Sequence, residues 1–160
     1  MTTSTINLLT DGNFDGVSLA PGAPGYNQGS PDGAFNGLVP FGWTGTTGNV
    51  GTFAPTAATS PGFVGSQVAY LNPNGAISQS FATPAVGAAG FDQYVISLDV
   101  GIRLQGAPTS GSLTITAKVG ATVVGSTSVS VSSLTDGAAT PLSFTTEDLY
   151  RLALPGSPSR

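Results

Sequence analysis

Across residues 94–103 the side chains alternate without a break. Tyr94, Ile96, Leu98, Val100 and Ile102 fall on one face, and Val95, Ser97, Asp99, Gly101 and Arg103 on the other. A repeat of two is the mark of a strand with one buried face, since a helix would scatter the same apolar positions around its axis. Leu113, Ile115, Ala117 and Val119 repeat the pattern, with Ser112, Thr114, Thr116 and Lys118 opposite. Gly120-Ala121 is a two-residue connection. Residues 122–132 return with Thr127, Val129 and Val131 on one face and Ser126, Ser128 and Ser130 on the other. This predicts a β-hairpin whose serine face meets solvent or a partner.

Shorter runs predict strands over residues 6–9, 14–19, 41–44, 49–53, 67–71, 76–82 and 141–146, separated by turn-rich pieces such as Asp11-Gly12 and Pro73-Asn74-Gly75. The layout is all-β, and 160 residues suit a single antiparallel β-sandwich. Residues 1–148 are read as that domain and 149–160 as a C-terminal arm or tail. Thr145-Thr146-Glu147-Asp148 offers capping chemistry before Leu149, Tyr150, Leu152 and Leu154, a pattern open to a short turn of helix or a final strand. Residues 18–41 stand apart, rich in Gly, Pro and Asn with Tyr26 and Phe35 inside. A stretch of that length is functional or carries short structure of its own, and it is the first place to look for a site.

Composition matters here through what is missing. There is no histidine or cysteine, one lysine (Lys118) and one glutamate (Glu147). General acid–base work at neutral pH usually rests on His or on a tuned Glu or Lys, and a nucleophile needs such a base beside it. The expectation is therefore a protein that is not an enzyme. Nothing in the spacing brings two of Asp92, Asp99, Asp136 and Asp148 together as a glycosidase pair. A net charge of −4 with four basic residues leaves no footprint for a phosphate backbone, so nucleic acid is not an expected partner. No apolar run reaches the roughly 18 residues of a membrane span, and the start Met1-Thr-Thr-Ser-Thr shows no Sec signal.

Five motifs follow one another along the chain: Asn7-Leu8-Leu9-Thr10-Asp11-Gly12-Asn13-Phe14-Asp15, Pro40-Phe41-Gly42-Trp43, Gly65-Ser66-Gln67-Val68-Ala69-Tyr70-Leu71-Asn72, Gly75-Ala76-Ile77-Ser78-Gln79-Ser80-Phe81 and Tyr94-Val95-Ile96-Ser97-Leu98-Asp99-Val100. In this order they resemble the galactose-binding-like jelly rolls, and among these the DUF642 and choice-of-anchor type of surface protein. The resemblance covers about residues 6–131. It implies a two-sheet antiparallel sandwich of the carbohydrate-binding-module kind and a non-catalytic binding or adhesive role. The acidic closing strand typical of such domains has only a poor copy in Glu147-Asp148-Leu149-Tyr150.

Asp11-Gly12-Asn13-Phe14-Asp15-Gly16 carries oxygen ligands at alternate positions, as at the opening of a calcium loop. The twelfth position, where an EF-hand needs a bidentate Glu, is Gly22, which excludes that motif. A structural calcium site on Asp11, Asn13 and Asp15 stays open beside a plain turn in which Asp11 and Asn13 satisfy backbone amides. No other cofactor is expected. Trp43, the single tryptophan, is either a sugar-stacking platform or core. Tyr26, Asn27, Gln28, Asp32 and Asn36 combine an aromatic ring with amides and a carboxylate, the groups that hold sugar hydroxyls. With Trp43 they are the candidate glycan site.

Leu149, Tyr150, Leu152 and Leu154 form an apolar cluster before a Pro/Gly/Ser tail, the pattern of a partner-binding arm that docks on a neighbouring sheet edge. Weakly charged Ser/Thr faces also pack without desolvating ions. Together these predict a structural or adhesive subunit of an extracellular or viral particle, such as a phage capsid decoration or tail protein. Its partners would be copies of itself or other proteins of the assembly, and its place the virion or an extracellular surface. The alternative is a secreted carbohydrate-binding module.

Overall fold

The computed structural model describes residues 9–23, 26–29, 33–46, 49–64, 66–82, 93–104, 108–147 and 149. These residues carry ten strands and two 3-10 turns. The protein is all-β, and its strands pair antiparallel throughout. It divides into two compact units, Met1–Ala82 and Thr83–Arg160.

Unit 1 holds β1 (Tyr26–Gly29), β2 (Gly33–Asn36), β3 (Thr44–Gly45), β4 (Val50–Phe53), β5 (Val68–Leu71) and β6 (Ile77–Ser78). Four of these make one sheet in the order β1-β2-β4-β5, while β3 pairs with β6. Registers Phe35↔Phe53↔Val68 and Asn36↔Thr52↔Ala69 fix the two faces of the sheet. One face buries Asn36, Val50 and Thr52 at 1% exposure or less. The other carries Phe35, Phe53, Val68 and Tyr70, all half-buried. The interior of this unit is markedly polar, since Thr59 and Ser60 are buried as well. Thr59 is held through its own turn, its Oγ1 donating to the Thr56 carbonyl at 3.4 Å.

Unit 2 pairs β7 (Val95–Val100) with β10 (Thr140–Thr145), and β8 (Ser112–Val119) with β9 (Thr122–Ser130). Exposure alternates as the period of two requires: Ile96, Leu98, Leu113 and Ile115 are half-buried, and Ser97, Asp99, Thr114 and Thr116 are exposed. A register shift between Ala117 and Lys118 breaks the alternation near the hairpin end. It turns Val124 inward at 2% exposure and leaves Val119 and Val123 out at 45% and 50%. Phe144 packs on Gly125, where a Cβ would lie 2.9 Å from the ring's Cε2. The Glu147 amide donates to the Val124 carbonyl at 2.6 Å, so the chain leaving β10 stays beside β9.

The strand expected over residues 14–19 is a turn instead. Asp11 and Phe14 both adopt left-handed backbone, φ 50° and 59°, and the Phe14 amide closes onto the Asp11 carbonyl at 3.1 Å. Residues 18–41 contain the β1–β2 hairpin, which the surrounding Gly and Pro obscured. The runs expected over 41–44 and 76–82 shorten to the two-residue strands β3 and β6. Residues 6–8 lie outside the described residues. β10 supplies the strand expected over residues 141–146.

Candidate functional site

An open cleft of about 290 Å3 lies in unit 1, lined by Gly16, Val17, Ser18, Ala23, Asn36, Leu38, Val39 and Phe41. Its walls are almost wholly aliphatic or aromatic, and its volume is near the lower end of the roughly 300 to 1,000 Å3 of small-molecule sites. Leu38 and Phe41 stand at 49% and 62% exposure, an apolar surface presented to solvent rather than packed away. Polarity enters through Ser18 and Asn36. The Asn36 side chain is spent locally, its Oδ1 accepting from the Leu38 amide at 2.9 Å and its Nδ2 donating to the Ser18 carbonyl at 3.4 Å. It pins together the two strands of chain that form the walls.

Behind the Gly16 wall sits the Asp11 turn. A Cβ on Gly16 would lie 2.8 Å from the Phe41 Cβ and 2.9 Å from Asp11 Oδ2, so only glycine fits between the cleft and the carboxylate. Asp11 Oδ1 accepts from the Gly16 amide at 2.9 Å, whereas Oδ2 is buried without a hydrogen-bond partner. The left-handed backbone at Phe14 is unusual for a bulky residue and persists only where its surroundings hold it. Here the holding groups are identifiable. The Trp43 indole donates to the Asp11 carbonyl at 3.3 Å, and its ring packs on Phe14 with centroids 5.4 Å apart. Gln79 then works as a bracket: Oε1 accepts from the Thr10 amide at 2.7 Å, and Nε2 donates to the Thr10 and Gly42 carbonyls at 2.8 Å each.

On the other face of the sheet Tyr70 lies across Gly51. A Cβ on Gly51 would collide with the Asn36 carbonyl oxygen and come within 2.5 Å of Tyr70 Cε1. The Tyr70 hydroxyl reaches toward Gly37, 3.8 Å from where a Cβ there would be. Burial pushes the Tyr70 phenol's pKa up from its ordinary value.

The residues expected at a glycan site are dispersed. Asn36 lines the cleft. Tyr26 is half-buried in register with Asn36, and Asn27 is exposed opposite Phe35. Gln28 pairs with Ala34, and Asp32 lies outside the described residues. Trp43 is part of the support under Asp11. In the expected calcium loop, Asn13 Nδ2 donates to Asp15 Oδ2 at 2.7 Å. No group of three or more His, Cys, Asp or Glu placed to hold a metal occurs among the described residues. Leu149 is buried at 9% exposure, while Tyr150, Leu152 and Leu154 lie outside the described residues. No helix among the described residues is long and apolar enough to cross a membrane.

Sequence reasoning passed over Val17, Leu38, Val39 and Phe41 as site residues. Their signal was legible as apolar residues framing a Gly/Pro stretch with no strand long enough to bury them. It also passed over Gly51, a glycine inside the Val50-Gly51-Thr52-Phe53 strand, where the absent side chain marks close approach of another group.

The model of the HpiC1-like family, described as HpiC1 cyclase, matches residues 8–151. No curated protein and no solved structure matches the chain. The chain belongs to the HpiC1-like cyclase family. That membership corrects the expectation of a protein that is not an enzyme. It equally overturns the structural or adhesive subunit of a phage capsid or other virion, and the secreted carbohydrate-binding module. The physical reason is that the missing His and Cys argue against the commonest nucleophile–base pairs and say nothing about ring closure. Cyclisation depends first on holding one flexible molecule folded upon itself, which an apolar surface does without titratable groups.

Proposed function

We propose that the protein is a cyclase that binds a small, largely apolar, unsaturated molecule in the unit 1 cleft and joins two parts of it into a ring. The family match over residues 8–151 is the observation that carries this reading. The cleft supports it, because Val17, Leu38, Val39 and Phe41 offer an apolar surface with few polar groups to hydrate the ligand. Folding the substrate against that surface lowers the entropy barrier, since two ends of one molecule are kept within reacting distance. In the simplest closure, of the carbonyl-ene kind, the alkene π electrons form the new carbon–carbon bond to the carbonyl carbon, the carbonyl π bond breaks, and the allylic hydrogen passes within the same molecule to the carbonyl oxygen as the double bond shifts, so no external acid or base is needed. The product is then an isomer of the substrate, and no oxidant or reductant is consumed.

Incubating the purified protein with a panel of small acyclic unsaturated aldehydes such as citronellal, followed by gas chromatography and mass spectrometry, tests this. The expected result is a ring-closed product of unchanged mass, formed faster than in buffer. A panel left wholly unconverted would contradict the reading. The Asp11 turn is proposed in addition as the place a structural calcium ion would occupy, on the strength of the enclosed, unpartnered Oδ2. Calcium should then raise the melting temperature of the wild type and not that of Asp11→Ala.

A further inference from the structure

We propose that the Thr52 hydroxyl is the polar anchor of the unit 1 cleft, donating a hydrogen bond to the carbonyl oxygen of the substrate. This rests on the cyclase reading for its substrate, but the anchor itself is argued from burial and register. Thr52 is wholly buried, at 0% exposure, and its Oγ1 has no hydrogen-bond partner. A hydroxyl so placed has given up water and gained nothing in return, which destabilises the fold. Valine fills the same space without that cost, so packing alone does not account for threonine at this position.

Register places this hydroxyl beneath the cleft. Thr52 on β4 pairs with Asn36 on β2, and paired residues share a face of the sheet with their Cβ atoms about 4.5 to 5.5 Å apart. Asn36 lines the cleft. Val50 lies two residues back on the same face of β4. It approaches Val39, another lining residue, since methyls of the two valines lie 2.9 and 3.1 Å from where a Cβ on Gly45 would project. Thr52 therefore stands one layer below the cleft surface, between a residue that lines the cleft and one that backs its wall. The layer above is held loosely at one point. Asn36 Oδ1 accepts from the Leu38 amide at 2.9 Å, but Nδ2 reaches the Ser18 carbonyl only at 3.4 Å, beyond the roughly 2.7 to 3.2 Å of ordinary N–H···O bonds. A ligand oxygen entering beside Ser18 competes with that carbonyl for the amide. As the amide turns to it, the Thr52 hydroxyl comes within reach, and two donors converge on one acceptor.

The chemical class follows from the donors. A hydroxyl and an amide N–H suit a neutral acceptor, and no charged side chain is among the lining residues to favour an ion. A carbonyl oxygen is the acceptor that the carbonyl-ene closure requires. Negative charge develops on it as its π bond breaks, and donors fixed in a site poor in water stabilise that charge better than solvent does. The rest of the molecule is apolar, to lie on Val17, Leu38, Val39 and Phe41. The substrate class is thus an unsaturated aldehyde or ketone whose carbonyl is its one polar group.

The test uses 6-methylhept-5-en-2-one and 2,6-dimethylhepta-1,5-diene, its analogue with a methylene group in place of the oxygen, titrated into the 15N-labelled full chain. The Asn36 and Thr52 amides should shift with the ketone. Thr52→Val should weaken ketone binding roughly three- to tenfold and leave diene binding unchanged. Thr52→Ser should bind the ketone much as wild type does, because the hydroxyl remains. In ligand-free protein Thr52→Val should raise the urea midpoint, which loss of a hydroxyl that was satisfied within the fold would not do. A ketone that does not bind, equal losses for both ligands, no loss in Thr52→Val, or an unchanged or lowered urea midpoint would overturn the proposal. Turnover of the aldehyde panel by Thr52→Val at the wild-type rate overturns the anchor only. Weakened ketone binding in Thr52→Val, beside a wild type that converts no aldehyde, overturns the cyclase reading only.

Discussion

Among the described residues, unit 2 is built from strands of six to nine residues, whereas no strand of unit 1 exceeds four. In unit 2 the pleat does the work: alternate residues turn inward, hydroxyl-bearing ones turn outward, and Phe144 settles on Gly125. In unit 1 the chain is held by single contacts, among them the Gln79 bracket, the Trp43 indole under Asp11 and the Asn36 amide between two walls. Regular strands cover themselves; turns fixed by point contacts leave concave surfaces between them. Sites belong on the second kind of structure, because irregular segments can place unlike groups around a cavity while the sheet beneath keeps them in position.

The sharpest way to break this comparison is to add one small side chain to each unit. Gly51→Val drives a branched side chain into the Asn36 carbonyl and the Tyr70 ring, and backbone cannot step aside. It should cost at least about 3 kcal/mol. Gly125→Ala meets the edge of the Phe144 ring, which can shift, and the Thr146 Cα at a milder 3.2 Å, and should cost about 1 kcal/mol. Urea unfolding measures both, and equal costs would erase the distinction between the units. Leu98→Ala removes an inward but half-exposed side chain of β7, so its cost should fall near about 2 kcal/mol, at the low end for such truncations. A cost below about 1 kcal/mol would mean that this face is not covered at all.

Unit 2 was readable because its information is periodic. Residues 95–100, 112–119 and 122–130 announce their faces by composition alone, and the hairpin at Gly120-Ala121 follows from its flanks. The register shift at Ala117 did not, since nothing in the alternation tells which residue is the extra one. Unit 1 hides its information in three dimensions. Phe14 looks like a strand residue until its left-handed backbone and the Trp43 ring are seen together. The cleft needed apolar residues at 17 and at 38–41 to meet across a hairpin masked by glycine and proline. Enzymatic function was illegible for a further reason: with no His or Cys in the chain, no familiar nucleophile–base motif marks a catalytic site.

Smaller effects sharpen the account of unit 1. Asp11→Ala loses the acceptor of the Gly16 amide and should destabilise by about 1 kcal/mol, seen as a lower urea midpoint with an unchanged slope. No change would mean that Trp43 and Gln79 hold the turn unaided. Tyr70 gives the smallest signal, at alkaline pH. Its folded pKa is raised, so its contribution to stability is complete below the ordinary value of about 10 and is lost as pH rises through the folded value. Tyr70→Phe should therefore lose less stability than wild type between about pH 9 and 11. Parallel alkaline curves would mean that the phenol is not desolvated.

The most direct test of the central claim is the rate of ring closure in Ala23→Phe beside Ser128→Ala. Ala23 lines the cleft, and a benzyl group there fills it; Ser128 lies on the exposed hydroxyl face of unit 2. With citronellal as substrate, Ala23→Phe should lose most of the activity at an unchanged melting temperature, and Ser128→Ala should match wild type. Full activity in Ala23→Phe, or loss in Ser128→Ala, would contradict the assignment of catalysis to the unit 1 cleft.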